Sequence, residues 1–180
     1  RCVCIQPWIL LLMQRKRNKA MEHAFYPGSF DPITRGHLNI IGRALGLFKK
    51  ITVLVAVNPH KTPLFPVEET KEIIRTATRS WAQVEVDSTE GLVVDYARKN
   101  GIYTAIRGLR AVTDFEGEFA MALTNRSMEP TFETAFLMTD SDYMYLSSTL
   151  VRQIAEQGGD VGKFVTPDVE RRLKEKFGYI

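Results

Sequence analysis

The segment at residues 25–38, FYPGSFDPITRGHL, combines residue types that bind phosphate groups. The segment begins with a short apolar strand that ends at Pro27 and Gly28. The hydroxyl residue Ser29 follows, and His37 lies where an apolar-periodic helix starts. The first N–H groups of a helix have no partner within the helix and carry partial positive charge, so they stabilise an anion. We therefore predict a phosphate site here, with the ring of His37 beside the helix amides.

Three basic side chains and a hydroxyl-rich segment lie on other loops that follow predicted strands. Lys61 follows the second strand, and Arg107 and Arg110 follow the fourth. Three spaced cations suit a polyphosphate or two phosphate groups. The hydroxyl residues at 147–149 cap a helix, which is their commonest use, or offer donors to a second phosphate, and both interpretations can hold together.

Several familiar chemistries are excluded by the motifs. The chain has no GxxxxGK[ST] loop, no GxGxxG opens the first helix, and the predicted site residues do not supply a nucleophile with a base and an orienting group. The chemistry must then depend on positioning and on charge neutralisation. Nucleotidyl transfer to an anionic phosphate acceptor fits, because such a nucleophile is already ionised and needs no general base.

The elements that would position these residues alternate between strand and helix. The patterns predict strands over 23–26, 51–57, 84–86, 103–106 and 133–138. They predict helices over 37–48, 67–81, 92–99, 114–125 and 168–176, and one from Ser147 or Ser148 to Gln157.

This alternation predicts an α/β fold with a doubly wound, Rossmann-like parallel sheet of five strands in a single domain with C-terminal helices. With the strand order 3-2-1-4-5, the first and fourth strands lie side by side where the winding reverses. Ligands bind beyond the carboxyl ends of strands at such a point, and the candidate loops all follow strands.

Composition sets limits on function. The chain has 180 residues, 44% hydrophobic and 25% charged, as is ordinary for a globular domain. Residues 1–20 contain five basic residues and no acidic one, so the remainder has 19 basic and 21 acidic residues and a net charge of −2. We therefore expect no nucleic-acid partner.

The first 20 residues differ from the rest of the chain. They hold both cysteines, Cys2 and Cys4, and their apolar run from Trp8 to Met13 is too short to cross a bilayer. Since Met21 directly precedes the first strand, we predict that residues 1–20 are a non-native or upstream extension and that residues 21–180 form the functional domain. The alternative is a membrane-surface anchor. We expect a cytoplasmic protein without a membrane partner.

The motifs together resemble one enzyme family. TRGH at 34–37, after YPGSFDP, resembles the (H/T)xGH signature of a nucleotidyltransferase superfamily, and NPHKTPLF at 58–65, IRGLRAVTDFE at 106–116 and LSSTLVR at 146–152 resemble pantetheine-phosphate adenylyltransferases. Relatives that adenylylate nicotinate mononucleotide, or cytidylylate glycerol 3-phosphate and choline phosphate, typically carry HxGH, where this chain has Thr34.

The resemblance implies a magnesium-dependent reaction of ATP with 4'-phosphopantetheine that gives dephospho-coenzyme A and pyrophosphate. It implies catalytic roles for His37, Lys61 and Arg107, and no metal-ligating residue is predicted. The acceptor would be held by Ser29, Lys61, Val93 and Arg107. ATP would be held by Ser29, Phe30, His37, Gly108, Leu109, Arg110, Glu118, Tyr143, Met144, Tyr145, Leu146, Ser147, Ser148 and Thr149. The family is generally homohexameric, with coenzyme A as a feedback inhibitor.

Three positions depart from the family pattern. Ser29 replaces a threonine but keeps the hydroxyl, Val93 replaces a larger apolar residue, and Gly117 replaces a tyrosine. These changes concern the pantetheine pocket more than the phosphate chemistry. Two alternatives stay open: a related nucleotidyltransferase with nicotinate mononucleotide or an alcohol phosphate as acceptor, and a non-catalytic nucleotide-binding regulator.

Overall fold

The computed structural model describes residues 22–57 and 62–179. Lys61 and the predicted extension at 1–20 lie outside the described residues. The strands are β1 His23–Gly28, β2 Lys50–Ala56, β3 Val84–Thr89, β4 Thr104–Leu109 and β5 Glu133–Met138. The helices are α1 Arg35–Leu45, α2 Val67–Thr78, α3 Val93–Asn100, α4 Val112–Met128, α5 Ser148–Glu156 and α6 Pro167–Phe177, with a 3₁₀ turn at Ser141–Tyr143.

The five strands form one parallel sheet in the order β3-β2-β1-β4-β5, which confirms the predicted topology. β2 is buried from Ile51 to Val55, as expected for a β-branched run covered by helices on both faces. Because β1 and β4 are neighbours, the loops after them open at the same place in the sheet.

Side chains of successive strand residues enter two separate cores. Tyr26 in β1 packs in the larger core, with α1, α2, α5 and α6, whereas its neighbour Phe25 packs in the smaller core with α3. α4 lies against β4 and β5 and buries a single residue, Asn125. The face of the sheet that carries α3 and α4 is therefore covered less completely.

Several element boundaries differ from the predictions. β4 continues to Leu109, so Arg107 and Gly108 lie in the strand and not in the loop after it, because they pair in parallel with Phe136 and Leu137 of β5. β3 extends to Thr89 through its pairing with β2. α1 begins at Arg35 and ends at Leu45, and α4 runs from Val112 to Met128.

The predicted stop of α3 is confirmed. Gly101 follows the helix with φ 66° and its N–H donates to the carbonyl of Ala97, the left-handed conformation that glycine adopts without strain. Among the described residues, no helix is long and apolar enough to cross a membrane.

Candidate active site

A cavity of about 300 Å³ opens at the carboxyl ends of β1 and β4, where the predicted phosphate site was placed. It is bounded by the loop after β1, the first turn of α1, the end of β4 and the start of α5. Its lining residues are Tyr26, Pro27, Gly28, Ser29, Phe30, Thr34, Gly36, His37, Ile40, Arg107, Gly108, Arg110, Thr139, Tyr143, Leu146, Ser147, Ser148 and Thr149. Three separate stretches of the chain, 26–40, 107–110 and 139–149, therefore meet around one space.

The first turn of α1 is closed by a capping box, which corrects the prediction of a row of free amides. Thr34 is the N-cap, and the hydroxyl of Thr34 accepts from the N–H of His37 at 3.4 Å. The N–H of Arg35 donates to the carbonyl of Phe164 at 2.8 Å. Within the described chain, only the N–H of Gly36 in this turn has no acceptor. The helix therefore offers one amide to an anion.

The capping box also fixes the ring of His37. Its Nδ1 accepts from the backbone N–H of Thr34 at 3.0 Å and lies 3.1 Å from the hydroxyl of Thr34. A ring nitrogen that accepts from an N–H carries no proton, so the proton of the neutral ring is on Nε2. The ring also packs edge-on against Phe30, with the ring centroids 5.1 Å apart.

The electrostatic surroundings keep His37 neutral. Burial lowers the pKa of the imidazole to about 4, and the positive charges of Arg110 and Arg107 act in the same direction. At neutral pH the ring is therefore a hydrogen-bond donor through Nε2 and not a cation.

Arg107 reaches the cavity from β4 but is held by a carboxylate of α4. Its Nε donates to Glu118 at 2.5 Å, a second nitrogen makes a shorter contact with the other Glu118 oxygen, and Nη1 donates to the carbonyl of Pro27 at 2.8 Å. This is a bidentate ion pair, the strong geometry for arginine. Glu118 does not line the cavity; it acts on the site by orienting Arg107.

Arg110 is held in a similar way by Asp114. Its Nε donates to the carboxylate at 3.0 Å, and its backbone N–H and Nη2 donate to the same carboxylate at 3.3 Å each. Its Nη1 donates to the carbonyl of Leu146 at 3.2 Å, which ties it to the segment before α5. Both arginines are thus paired with carboxylates, and each has two N–H groups left for a ligand.

The start of α5 provides a second open helix terminus. The hydroxyl of Ser147 accepts from the N–H of Leu150 at 3.1 Å, so the cap prediction is confirmed. The hydroxyl of Ser148 donates to the carbonyl of Pro32 at 2.8 Å and joins α5 to the loop after β1. Among the described residues, the N–H groups of Ser148 and Thr149 have no acceptor, so they suit an anion.

Most of the predicted site residues line the cavity, and five of those that the structure describes do not. Leu109 is buried beneath the strand end, Met144 and Tyr145 are exposed, Glu118 binds Arg107, and Val93 packs against the smaller core. Lys61 lies outside the described residues. The roles that the resemblance implies for these six residues stay predictions.

Tyr26 and Thr34 line the cavity although the motif analysis gave neither of them a role. Thr34 could have been recognised, because Thr-x-x-His has the spacing of a capping box with histidine in place of glutamate. For Tyr26 the sequence pattern predicts only a position in the first strand. Its position at the carboxyl end of β1, directly before the turn, is the signal that was available.

The loop after β1 has a special backbone. Phe30 has φ 48°, a left-handed conformation that is uncommon for a bulky residue, and its ring is 2% exposed. A Cβ atom on Gly28 would lie 3.0 Å from this ring, so glycine is needed for the close approach. Burial of the ring between Tyr26 and His37 offsets the backbone strain.

Asp31 joins this loop to the loop after β2. Its two carboxylate oxygens accept from the N–H groups of Leu64 at 2.7 Å and Phe65 at 3.1 Å. Asp31 therefore forms a specific bridge that sets the distance between the two loops.

A larger cavity of about 780 Å³ lies at the amino-terminal end of the sheet, beside β3, and none of the predicted site residues lines it. Residues 22–57 and 62–179 contain no group of three or more histidine, cysteine, aspartate or glutamate residues that could hold a metal ion. The predicted site residues whose N–H and O–H groups meet in one space therefore lie at the cavity beside the carboxyl ends of β1 and β4.

Comparison with known proteins agrees with this geometry. Residues 25–154 match the family model for cytidylyltransferase-like proteins. The chain is 49% identical over 158 residues to phosphopantetheine adenylyltransferase of Heliobacterium modesticaldum, a match that covers 88% of this chain and 94% of that protein. It is 52% identical over 155 residues to the enzyme of the same name from Anaeromyxobacter dehalogenans, over 86% and 94% of the two chains.

Solved structures show the same fold. Plasmodium falciparum nicotinic acid mononucleotide adenylyltransferase, complexed with NaAD, matches with a TM-score of 0.62 over 88% of this chain and 96% of that chain. The two sequences are 16% identical, so this likeness concerns the fold alone.

Proposed function

This chain belongs to the cytidylyltransferase-like family and, within it, to the phosphopantetheine adenylyltransferases, and from that membership we propose how its pocket works. The enzyme transfers the adenylyl group of ATP to 4'-phosphopantetheine and releases pyrophosphate, giving dephospho-coenzyme A. The alternatives of another phosphate acceptor and of a non-catalytic regulator are not favoured, since curated relatives about 50% identical over most of the chain carry this name.

The transfer is a displacement at the α-phosphorus of ATP. An oxygen of the phosphopantetheine phosphate forms the new bond, and the bond to pyrophosphate breaks on the opposite side. The attacking phosphate is already ionised, so no side chain has to remove a proton. The enzyme then has to bring two anions together and stabilise the negative charge that grows on the α-phosphate oxygens.

His37 stabilises that charge. Its Nδ1 is engaged by the Thr34 amide, which supports a proton on Nε2. In the neutral ring this N–H is a donor of fixed direction, since the ring is held by the capping box and by Phe30. A preorganised donor of this kind lowers the barrier because it needs no reorientation during the reaction.

The two substrates bind on opposite sides of His37. Arg107, Ser29, Lys61 and Val93 hold the acceptor. The nucleotide is held by Phe30, by Gly108 to Arg110 at the end of β4, by Glu118 and by residues 143–149. Within the last segment, the open amides of Ser148 and Thr149 donate to phosphate oxygens. The paired arginines support this assignment, because each is fixed in place and still has N–H groups for a phosphate.

Mg²⁺ enters with ATP in this proposal. The described residues hold no cluster of carboxylates or histidines, and Mg²⁺ is commonly bound by substrate phosphates and waters with few protein ligands. When bound, the ion neutralises charge on the triphosphate and on the departing pyrophosphate.

The observation that carries the mechanism is the convergence of His37, Arg107, Arg110 and the α5 amides on one cavity. The test is a panel of acceptors, namely 4'-phosphopantetheine, nicotinate mononucleotide and glycerol 3-phosphate, each with ATP and with CTP. Pyrophosphate release and product mass are measured. We expect turnover with ATP and 4'-phosphopantetheine only. Faster turnover with another pair would reject the substrate assignment.

A homohexamer is also part of the proposal. Helix α4 carries Phe115, Phe119, Met121 and Leu123, each at least 40% exposed, an unusual amount of apolar surface for one helix. Light scattering during gel filtration measures the assembly directly. A monomer at micromolar concentration would contradict it.

Two further expectations concern regulation and location. Coenzyme A is expected to inhibit by competing with the substrates, which initial-rate measurements at several substrate concentrations test. The absence of cysteine after residue 21 supports a reducing compartment such as the cytoplasm, which cell fractionation tests.

A further inference from the structure

Tyr26 lies at the floor of the active-site cavity, although no role in the reaction follows from the site residues described so far. It is the fourth residue of β1, and its side chain is 7% exposed. Its ring packs edge-on against Phe30 with the centroids 5.2 Å apart, and its centroid is 6.3 Å from that of His37. The ring is thus fixed in the same aromatic group that fixes the catalytic histidine.

The hydroxyl of Tyr26 points at the groups that bind phosphate. A Cβ atom built on Gly108 would lie 3.4 Å from it, so the hydroxyl sits close to β4 at Gly108, where the charges of Arg107 and Arg110 both act on it. The glycine leaves the space that the phenol occupies. Tyr26 and both arginines line the same cavity as His37.

This hydroxyl makes no hydrogen bond to residues 22–57 and 62–179, and it keeps contact with the cavity, since the hydroxyl of Thr166 is the one fully buried polar side-chain atom left unpaired in those residues. Buried tyrosine hydroxyls usually find a partner, because an unpaired polar group away from water costs free energy. The hydroxyls of Tyr96 and Tyr179, in contrast, are bonded: Tyr96 donates to Asp87 at 3.0 Å and Tyr179 donates to the carbonyl of Glu156 at 2.8 Å. Tyr26 is therefore open toward the cavity.

The protonation state of Tyr26 decides what partner it can take. Burial raises the pKa of the phenol to about 12, an effect that the charge of Arg107 partly opposes. The hydroxyl keeps its proton at any pH at which the enzyme works. It can then donate to an anion, and it cannot serve as a base.

We propose that the Tyr26 hydroxyl donates a hydrogen bond to a phosphate oxygen of a bound substrate, as a second neutral donor beside His37. This inference rests on the proposed function. The phosphate belongs either to ATP or to the acceptor, since Arg107, assigned to the acceptor, and Arg110, assigned to the nucleotide, both line the cavity that Tyr26 lines. The chemistry is the same in both cases, and the experiment separates them.

The test is Tyr26→Phe, which removes the hydroxyl and keeps the ring. Tyr96→Phe is the matched control, because Tyr96 is 8% exposed, lies in the smaller core and lines no part of this cavity. For Tyr26→Phe we expect kcat/KM to fall about 10- to 100-fold, the range for a hydrogen bond to a charged group. For Tyr96→Phe we expect kinetic constants unchanged within twofold.

The kinetic constants identify the phosphate. A rise in KM for 4'-phosphopantetheine alone assigns the contact to the acceptor. A fall in kcat, or weaker binding of ATP by calorimetry, assigns it to the nucleotide. Both results support the proposal.

Two results would overturn it. The first is a Tyr26→Phe enzyme whose kinetic constants and binding of ATP and 4'-phosphopantetheine stay within twofold of the parent. The second is a melting temperature far below that of the parent, since it would mean that the hydroxyl has a partner in the free protein. If the parent itself releases no pyrophosphate with 4'-phosphopantetheine, the proposed function fails, and the binding comparison still decides the role of Tyr26.

Discussion

Replacing His37 with asparagine separates the two tasks of this side chain. The Oδ1 atom of asparagine can take the place of Nδ1 and accept from the Thr34 N–H, so the capping box at the start of α1 survives. Asparagine has no atom at the place of Nε2. The variant therefore keeps the helix start and loses the donor proposed for the α-phosphate.

The magnitudes of the two effects differ. Loss of one preorganised transition-state donor costs about 2.7–4 kcal/mol, which is a fall of about 10²- to 10³-fold in kcat. The Thr34 residue is 2% exposed, so an unpaired N–H there costs about 1–3 kcal/mol of folding free energy. We expect His37→Asn to show the first loss alone, and His37→Ala to show both.

The assays are initial-rate pyrophosphate release under saturating substrates and urea unfolding followed by circular dichroism. Parent, His37→Asn and His37→Ala are compared at the same pH and protein concentration. A His37→Asn enzyme that retains kcat within tenfold of the parent would refute the proposed donor role of Nε2. A His37→Ala variant as stable as the parent would contradict the capping role, because the ring would then contribute nothing to the helix start.

Three further predictions follow from other contacts. Gly108→Ala places a Cβ 2.9 Å from a side-chain carbon of Ile40, so we expect the free energy of unfolding in urea to fall by about 1–3 kcal/mol. Gly117→Ala in α4 meets nothing within 4 Å, so we expect the same free energy to rise by about 0.5–1 kcal/mol. Equal effects of the two substitutions would contradict this interpretation of the two sites. Asp31→Asn keeps one acceptor oxygen for two amide donors and should cost about 1–3 kcal/mol, and a variant as stable as the parent would show that the bridge between the loops is dispensable. The pKa of His37 is about 4 in the folded protein and 6.5 for an ordinary histidine, so the unfolded chain binds the proton more readily. The contribution of His37 to the free energy of unfolding is therefore lost as the pH drops from about 6.5 toward 4. Long-range ¹H–¹⁵N spectra should show His37 neutral with its proton on Nε2 at pH 6, and a half-protonated ring there would refute the assignment.

The fold could be predicted from the sequence because its main signals are local. The apolar run of β2 has no polar face, which indicates a strand buried on both sides, and strands alternate with helices along the chain. The strand order then placed the candidate loops at one rim, and the cavity bounded by β1, β4 and α5 lies there.

The end of β4 could not be predicted in the same way. Arg107 and Gly108 interrupt the apolar pattern, so the sequence predicts a strand that ends at residue 106. Their extended conformation comes from parallel pairing with Phe136 and Leu137, in a strand that lies almost thirty residues later. Pairing between distant segments is a tertiary effect that local propensity does not report.

The pairing of the arginines was also beyond the sequence. Glu118 follows Arg107 by 11 residues across a strand, a turn and two turns of helix, and only the packing of α4 on β4 brings the two groups together. Basic residues at a predicted phosphate site suggested free positive charge. The structure instead shows two ion pairs whose carboxylates come from one helix.

These ion pairs change how the site must work. Two unit charges 4 Å apart interact by about 4 kcal/mol at an effective dielectric constant of 20, so bringing two phosphates together needs substantial compensation. Arg107 and Arg110 with their carboxylate partners sum to no net charge. Among the described residues, the proposed compensation therefore depends on groups of fixed direction, namely the remaining N–H groups of the two arginines, the open amides at the two helix starts and the neutral ring of His37. Such dipoles favour the geometry in which charge develops over any other placement of an anion, because their directions are set before the substrates arrive. A site built in this way binds the transition state selectively without attracting every phosphate in solution.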